Sequence, residues 1–213
     1  MRPDWQTIAV IVVYTFGAGW LAAWAIGAFA NRAIPLVAAM AACGAIAVWT
    51  FHVVFGETAF LLSLCLAWGL LVLAVVDTLQ FRLPDLLTLP LAAAGLLAAA
   101  FLPAERVLDH AVAGAIAYVA LWSVAWSYRR IRRRDGMGLG DAKLAAAAGA
   151  WLGLEPLPSV LLLASIGGIV WVAFAAIFRG RAELSKHIPF GVPLSFAIWI
   201  VWLYGPFTFA SGS

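Results

Sequence analysis

Eight apolar segments, at about residues 6–29, 34–55, 58–76, 86–102, 107–128, 141–154, 158–178 and 189–206, follow one another with only short polar or helix-breaking connections between them. A helix needs about 20 apolar residues to cross a bilayer, so these segments take up most of a 213-residue chain. Charged residues make up 11% of the sequence, against about 25% in soluble domains. A chain this poor in charge cannot cover itself with polar surface, which excludes a water-soluble enzyme and leaves little room for a globular domain outside the membrane. The expected fold is all-α: a polytopic integral membrane protein of about eight transmembrane helices forming one membrane-embedded domain over residues 1–213. The sixth segment is short and rich in alanine, as suits a helix packed tightly among neighbours. Met1-Arg2-Pro3-Asp4 leads straight into the first apolar run with no small-residue cleavage pattern, so that run reads as a span and not as a signal peptide.

The basic residues set the orientation. Sorted by alternate connections, one side holds Arg32, Arg82, Arg129, Arg130, Arg132, Arg133, Arg134, Lys143, Arg179, Arg181 and Lys186, and the other holds Arg2 and Arg106. Basic residues collect on the cytoplasmic side, which puts the first group in the cytoplasm and both termini outside. The net charge of +3 is thereby explained by topology, and no nucleic-acid partner is expected. The run Tyr128 to Arg134 reads as a topology anchor that also suits anionic lipid headgroups. Membrane lipids are the expected surroundings, and the sequence carries no signal for an oligomeric state.

The ten acids divide evenly between the two sides, which makes their local context the informative feature. Asp77 closes the run Leu70 to Val76, and Asp141 opens the run Ala142 to Leu154 directly after Gly136-Met-Gly-Leu-Gly140. An acid at the edge of the hydrocarbon is costly and marks a functional site by default. Two carboxyls at one membrane depth suit paired-acid chemistry, because closely apposed carboxyls do not both ionise readily. The ionised member takes a proton from water while the neutral one hydrogen-bonds a scissile carbonyl, so a peptide bond is hydrolysed with neither a metal nor a covalent intermediate. Gly138 and Gly140, free to adopt positive φ and lacking Cβ atoms, would let a substrate backbone approach Asp141. The same residues equally describe a loop entering a helix that Asp141 caps.

Asp85 follows Pro84 at the start of a new apolar run and reads mainly as a helix start. Lys143 reads as a side chain reaching for the cytoplasmic interface, with tuning of Asp141 or substrate binding as its functional counterpart. His52, His110 and His187 are scattered, with no H-E-x-x-H, and Cys43 and Cys65 form no C-x-x-C pair. No metal site or cofactor is therefore expected. Ser63 and Ser165 lie in spans without a nearby His and read as helix-packing residues.

Three stretches together carry a family resemblance. Asp77-Thr-Leu-Gln-Phe-Arg-Leu-Pro84-Asp85 resembles the first aspartate motif of type IV prepilin peptidases, and Gly136-Met-Gly-Leu-Gly-Asp141-Ala-Lys143 resembles their G-x-G-D motif. Ile188-Pro-Phe-Gly-Val-Pro193 resembles the proline-rich sequence before their last span, with one extra residue before the second proline. The resemblance covers about residues 58–206 in the family's order. It implies an aspartic membrane endopeptidase that removes the short basic leader of prepilins or pseudopilins at the cytoplasmic face of the inner membrane. By position, Asp77 and Asp141 become the catalytic pair. Asp85, Gly138, Gly140, Lys143, Pro189 and Gly191 become motif or substrate-positioning residues.

Many longer members carry a cytoplasmic insert with C-x-x-C pairs after the first span and also N-methylate the new terminus with S-adenosylmethionine. Here that connection runs only from about Asn31 to Pro35, so peptidase activity is expected and methyl transfer is not. Two other readings stay open. Gly138-Leu-Gly-Asp141 also resembles the presenilin and signal-peptide-peptidase proteases, although their Pro-Ala-Leu motif is lacking here. Membrane aspartates also serve ion relays in transporters, whose inverted repeats have no counterpart in this sequence.

Overall fold

A computed structural model of the chain describes residues 5–54, 57–101, 107–132, 138–179 and 189–207. Among the described residues there are eight helices: α1 (Trp5–Ala30), α2 (Leu36–Val53), α3 (Glu57–Gln80), α4 (Asp85–Phe101), α5 (Val107–Arg132), α6 (Leu139–Leu152), α7 (Leu157–Arg179) and α8 (Gly191–Tyr204). Five of them contain stretches long and apolar enough to cross a membrane: Trp5–Ala30, Leu36–Val53, Thr58–Gln80, Val107–Ile131 and Leu157–Phe174. The chain is thus an all-helical, polytopic membrane protein. The helices match the eight apolar segments one for one, but α4, α6 and α8 are shorter, at 17, 14 and 14 residues. Arg2, Arg106, Arg133, Arg134, Gly136, Arg181, Lys186 and His187, on which parts of the orientation and motif readings rest, lie outside the described residues.

The short helix α6 is the centre of the packing. At about 1.5 Å per residue, 14 residues span only about 21 Å, less than the hydrocarbon thickness of about 30 Å. It need not match the bilayer, because protein surrounds it: Ala142, Leu144, Ala145, Ala147, Ala148 and Trp151 are all buried. Small side chains are what allow its neighbours α4 and α5 to close in. A Cβ at Gly149 would lie 2.5 Å from the carbonyl carbon of Ala113 and the nitrogen of Gly114, and one at Gly95 would lie 2.6 Å from Trp151 Cδ1. The polar atoms at this junction are matched: Trp151 Nε1 donates to the Leu91 carbonyl at 2.8 Å, and His110 Nδ1 donates to the Ala150 carbonyl at 2.9 Å. Gly149→Ala pushes a methyl against main chain that cannot rotate away. It is expected to destabilise the fold by about 1–3 kcal/mol, the usual range for overpacking, measured by thermal unfolding in detergent.

Helix α3 belongs to two cores. One face packs with α6 and α8 through Leu66, Leu70 and Leu73, and the other meets α1 and α2 through Val72 and Val76. A π-helical turn at Tyr14–Ala18 interrupts α1. Such a turn disturbs the regular backbone ladder, and here the Ala18 carbonyl accepts Trp68 Nε1 from α3 at 3.1 Å, while the Tyr14 hydroxyl donates to the Leu64 carbonyl at 3.1 Å. Of the two serines expected to link helices, Ser63 does so, accepting Trp202 Nε1 of α8 at 2.7 Å. Ser165 does not: it is exposed and donates to Leu161 in its own helix.

Candidate active site

Three of these helices end at one place, and the two singled-out acids stand at two of those ends. The apolar run before Asp77 predicts a helix stopping there, but α3 continues to Gln80, so Asp77 lies in its last turn. Phe81 then takes a left-handed conformation, φ 56°, and its N–H donates to the Asp77 carbonyl at 2.8 Å. This is the one-bond C-terminal stop that usually employs glycine. Asp141 is the third residue of α6, and the two carboxylic acids are 4% and 7% exposed. They are close enough for the charge of Asp77 to act on Asp141.

Capping and pairing prove compatible at Asp141. The Gly138 N–H donates to its Oδ2 at 3.3 Å, and its own N–H donates to the Gly138 carbonyl at 3.2 Å, so the side chain is held at the helix N-terminus within electrostatic reach of Asp77. Asp77 is held differently. The backbone amides of Gly191 and Val192, at the start of α8, interact with its carboxyl group. Its Oδ2 nonetheless makes no hydrogen bond of good geometry among the described residues.

Glycine is required at two positions for space and not for φ. A Cβ on Gly191 would fall 2.7 Å from Asp77 Oδ2 and 3.2 Å from Leu83 Cδ1, and one on Gly140 would fall 2.8 Å from Leu83 Cβ. Leu83, 8% exposed, therefore packs between both glycines as the floor of the site. Nothing in the sequence distinguishes it from the many other leucines. Neither Gly138 nor Gly140 uses its freedom to adopt positive φ: Gly138 is extended, at φ −75° and ψ 149°, and Gly140 lies within α6. A Cβ at Gly138 would find nothing nearer than 3.8 Å. Pro189 is buried just ahead of α8, which begins two residues later than the apolar run predicts, at Gly191.

Asp85 and Lys143 pair with each other. Lys143 Nζ lies 2.5 Å from Asp85 Oδ1, with side-chain exposures of 28% and 57%, tying the start of α4 to the start of α6. Asp85 is indeed the first residue of α4, but its carboxylate serves this ion pair, and Lys143 reaches across to another helix and not only toward the interface. A pair this exposed contributes about 0–1 kcal/mol. Asp85→Asn is expected to leave unfolding within about 1 kcal/mol of the parent and to retain appreciable activity, checked by thermal unfolding and by the cleavage assay described below. Among the described residues no group of three or more His, Cys, Asp or Glu side chains is placed to hold a metal ion.

A membrane-embedded helical bundle with a buried aspartate pair at the meeting of three helix ends is the class these features define. The sequence profile described as the type IV leader peptidase family matches residues 64–173, a stretch containing both aspartates, and the chain belongs to that family. It is 44% identical over 149 residues to the prepilin leader peptidase/N-methyltransferase of Aeromonas salmonicida, covering 68% of this chain and 50% of that protein. The proteins of the same name from Pseudomonas aeruginosa and Stutzerimonas stutzeri are 40% identical over 158 residues (74% of this chain, 53% of that protein) and 36% identical over 178 residues (82% and 60%). The chain spans about half the length of the curated relatives it matches. No solved structure matches it significantly.

Proposed function

We propose that this chain is an aspartic endopeptidase that removes the short basic leader from type IV prepilins or pseudopilins at the cytoplasmic face of the inner membrane, with Asp77 and Asp141 as its catalytic pair. The observation that carries the reading is the apposition of two nearly inaccessible carboxyls from separate helices, in a fold otherwise poor in charge. With one carboxyl ionised and the other protonated, the ionised oxygen takes a proton from water as that water attacks the scissile carbonyl. The protonated partner hydrogen-bonds the carbonyl oxygen, and a proton then passes to the departing amine. The pair acts as a unit, so neither proton is assigned to one residue. The eleven-to-two split of basic residues supports a site facing the cytoplasm, the side on which a basic leader is held.

The test is incubation of the purified chain with a panel of candidate prepilins and of ordinary transmembrane helices, followed by mass analysis of the new N-termini. Release of leaders at the junction between basic and apolar sequence is expected, with no added methyl group. Cleavage of ordinary helices with prepilins left intact would favour a presenilin-like protease. No cleavage, with ion flux dependent on Asp77 in proteoliposomes, would favour a transporter.

A further inference from the structure

A groove of about 190 Å³ runs between α3 and α8, lined by Leu70, Leu71 and Ala74 on the first and by Val192, Ser195 and Trp199 on the second. Ala74 lies one turn before Asp77, and the amide of Val192 interacts with the Asp77 carboxyl, so the groove begins at the catalytic pair. Positions 192, 195 and 199 share one helix face, and seven residues carry it about 10 Å along α8.

Among the described residues three buried side-chain polar atoms lack hydrogen-bond partners: Asp77 Oδ2, Ser195 Oγ and Trp199 Nε1. The first belongs to the catalytic pair and the other two to residues lining the groove. Each of the two departs from most of its counterparts. The hydroxyls of Thr15, Thr50, Ser63, Thr88 and Ser165 all donate to the carbonyl four residues earlier, whereas Ser195 does not. The buried or half-buried indoles of Trp49, Trp68, Trp151 and Trp202 all donate to an oxygen, whereas Trp199 does not, although the Trp49 ring holds it edge-on at 6.3 Å. An enclosed donor without an acceptor bears its full desolvation penalty, and two of them beside a catalytic pair point to a ligand that brings acceptors.

Lipid acyl chains carry no acceptor. A helical peptide has its carbonyls occupied by its own backbone. An extended polypeptide offers free carbonyls, and the stretch next to a scissile bond must be extended for water to reach it. The volume exceeds the cavity of about 150 Å³ that accepts a benzene ring, so one large apolar side chain fits. We propose that this groove receives substrate polypeptide on the membrane side of the scissile bond, with Ser195 Oγ and Trp199 Nε1 donating hydrogen bonds to its backbone carbonyls. The assignment rests on the peptidase reading above.

The test is steady-state cleavage, by the full chain in detergent, of a prepilin with a basic leader and an apolar segment, comparing the parent with Ser195→Ala and Trp199→Phe. Loss of one neutral hydrogen bond is expected to raise KM about three- to ten-fold in each variant, by more than kcat falls. Because Ser195→Ala removes an enclosed hydroxyl without a partner, its unfolding temperature should equal or exceed the parent's, the reverse of what a packing role predicts. This variant loses a single oxygen atom and keeps the test decisive if Trp199→Phe folds poorly. Parent-like KM in Ser195→Ala overturns the assignment, as does a lowered unfolding temperature with KM unchanged; a groove that serves lipid or packing alone gives those results. If the parent cleaves no prepilin, the peptidase reading itself fails and this assignment with it.

Discussion

Asp77→Asn and Asp141→Asn are each expected to lower prepilin cleavage by about 10²- to 10⁴-fold, the contribution typical of a positioned acid or base. An amide neither accepts the proton that water must give up nor donates one to the departing amine, so either substitution stops the proton cycle. Neither should weaken the fold. Asp77 Oδ2 has no hydrogen bond among the described residues, and an asparagine at 141 keeps an oxygen for the Gly138 N–H, so unfolding temperatures should stay close to that of the parent. Loss of cleavage with retained stability separates a catalytic role from a structural one. Thermal unfolding measured beside single-turnover cleavage reads both.

Gly191→Ala is the second large effect. The added methyl would lie 2.7 Å from Asp77 Oδ2 and 3.0 Å from its Cγ, well inside van der Waals contact. The clash meets a short carboxylic side chain at the end of α3, and the side chain yields before the helices do. Displacing a catalytic group by about 1 Å costs on the order of 10²-fold in rate, so Gly191→Ala should lose about that much cleavage while remaining folded. Gly138→Ala is its control. With nothing nearer than 3.8 Å to the added methyl, that variant should fold as the parent does. Equal rates in Gly191→Ala and the parent would show that α8 does not position Asp77.

The two acids are legible in the sequence because charge is scarce: an aspartate closing Leu70 to Val76 and another opening Ala142 to Leu154 stand out where ordinary surface acids cannot hide them. The eight helices are legible for the same reason, since apolar runs and their interruptions follow directly from the membrane environment. What the sequence does not disclose is contact between distant segments. Gly191 needs to be glycine because α8 crosses the end of α3, more than a hundred residues earlier in the chain, and no local pattern reports that crossing. Leu83 is one leucine among many until Gly140 and Gly191 close on it. Capping or pairing at Asp141 is undecidable from spacing because the side chain both accepts the Gly138 N–H at the start of α6 and lies buried within electrostatic reach of Asp77. Ser195 and Trp199 draw no attention in a helix of apolar residues, since only the hydrogen bonds made by their counterparts elsewhere reveal that theirs are missing.

The central claim, that Asp77 and Asp141 act as one catalytic unit, is tested most directly by cleaving a single prepilin with the parent, Asp77→Asn, Asp141→Asn and the double variant under one set of conditions. Groups that act as a unit are strongly non-additive. The account predicts that the parent releases the leader and that the double variant is no slower than the slower single variant. Near-parental processing by either single variant, or losses that multiply in the double variant, would contradict it.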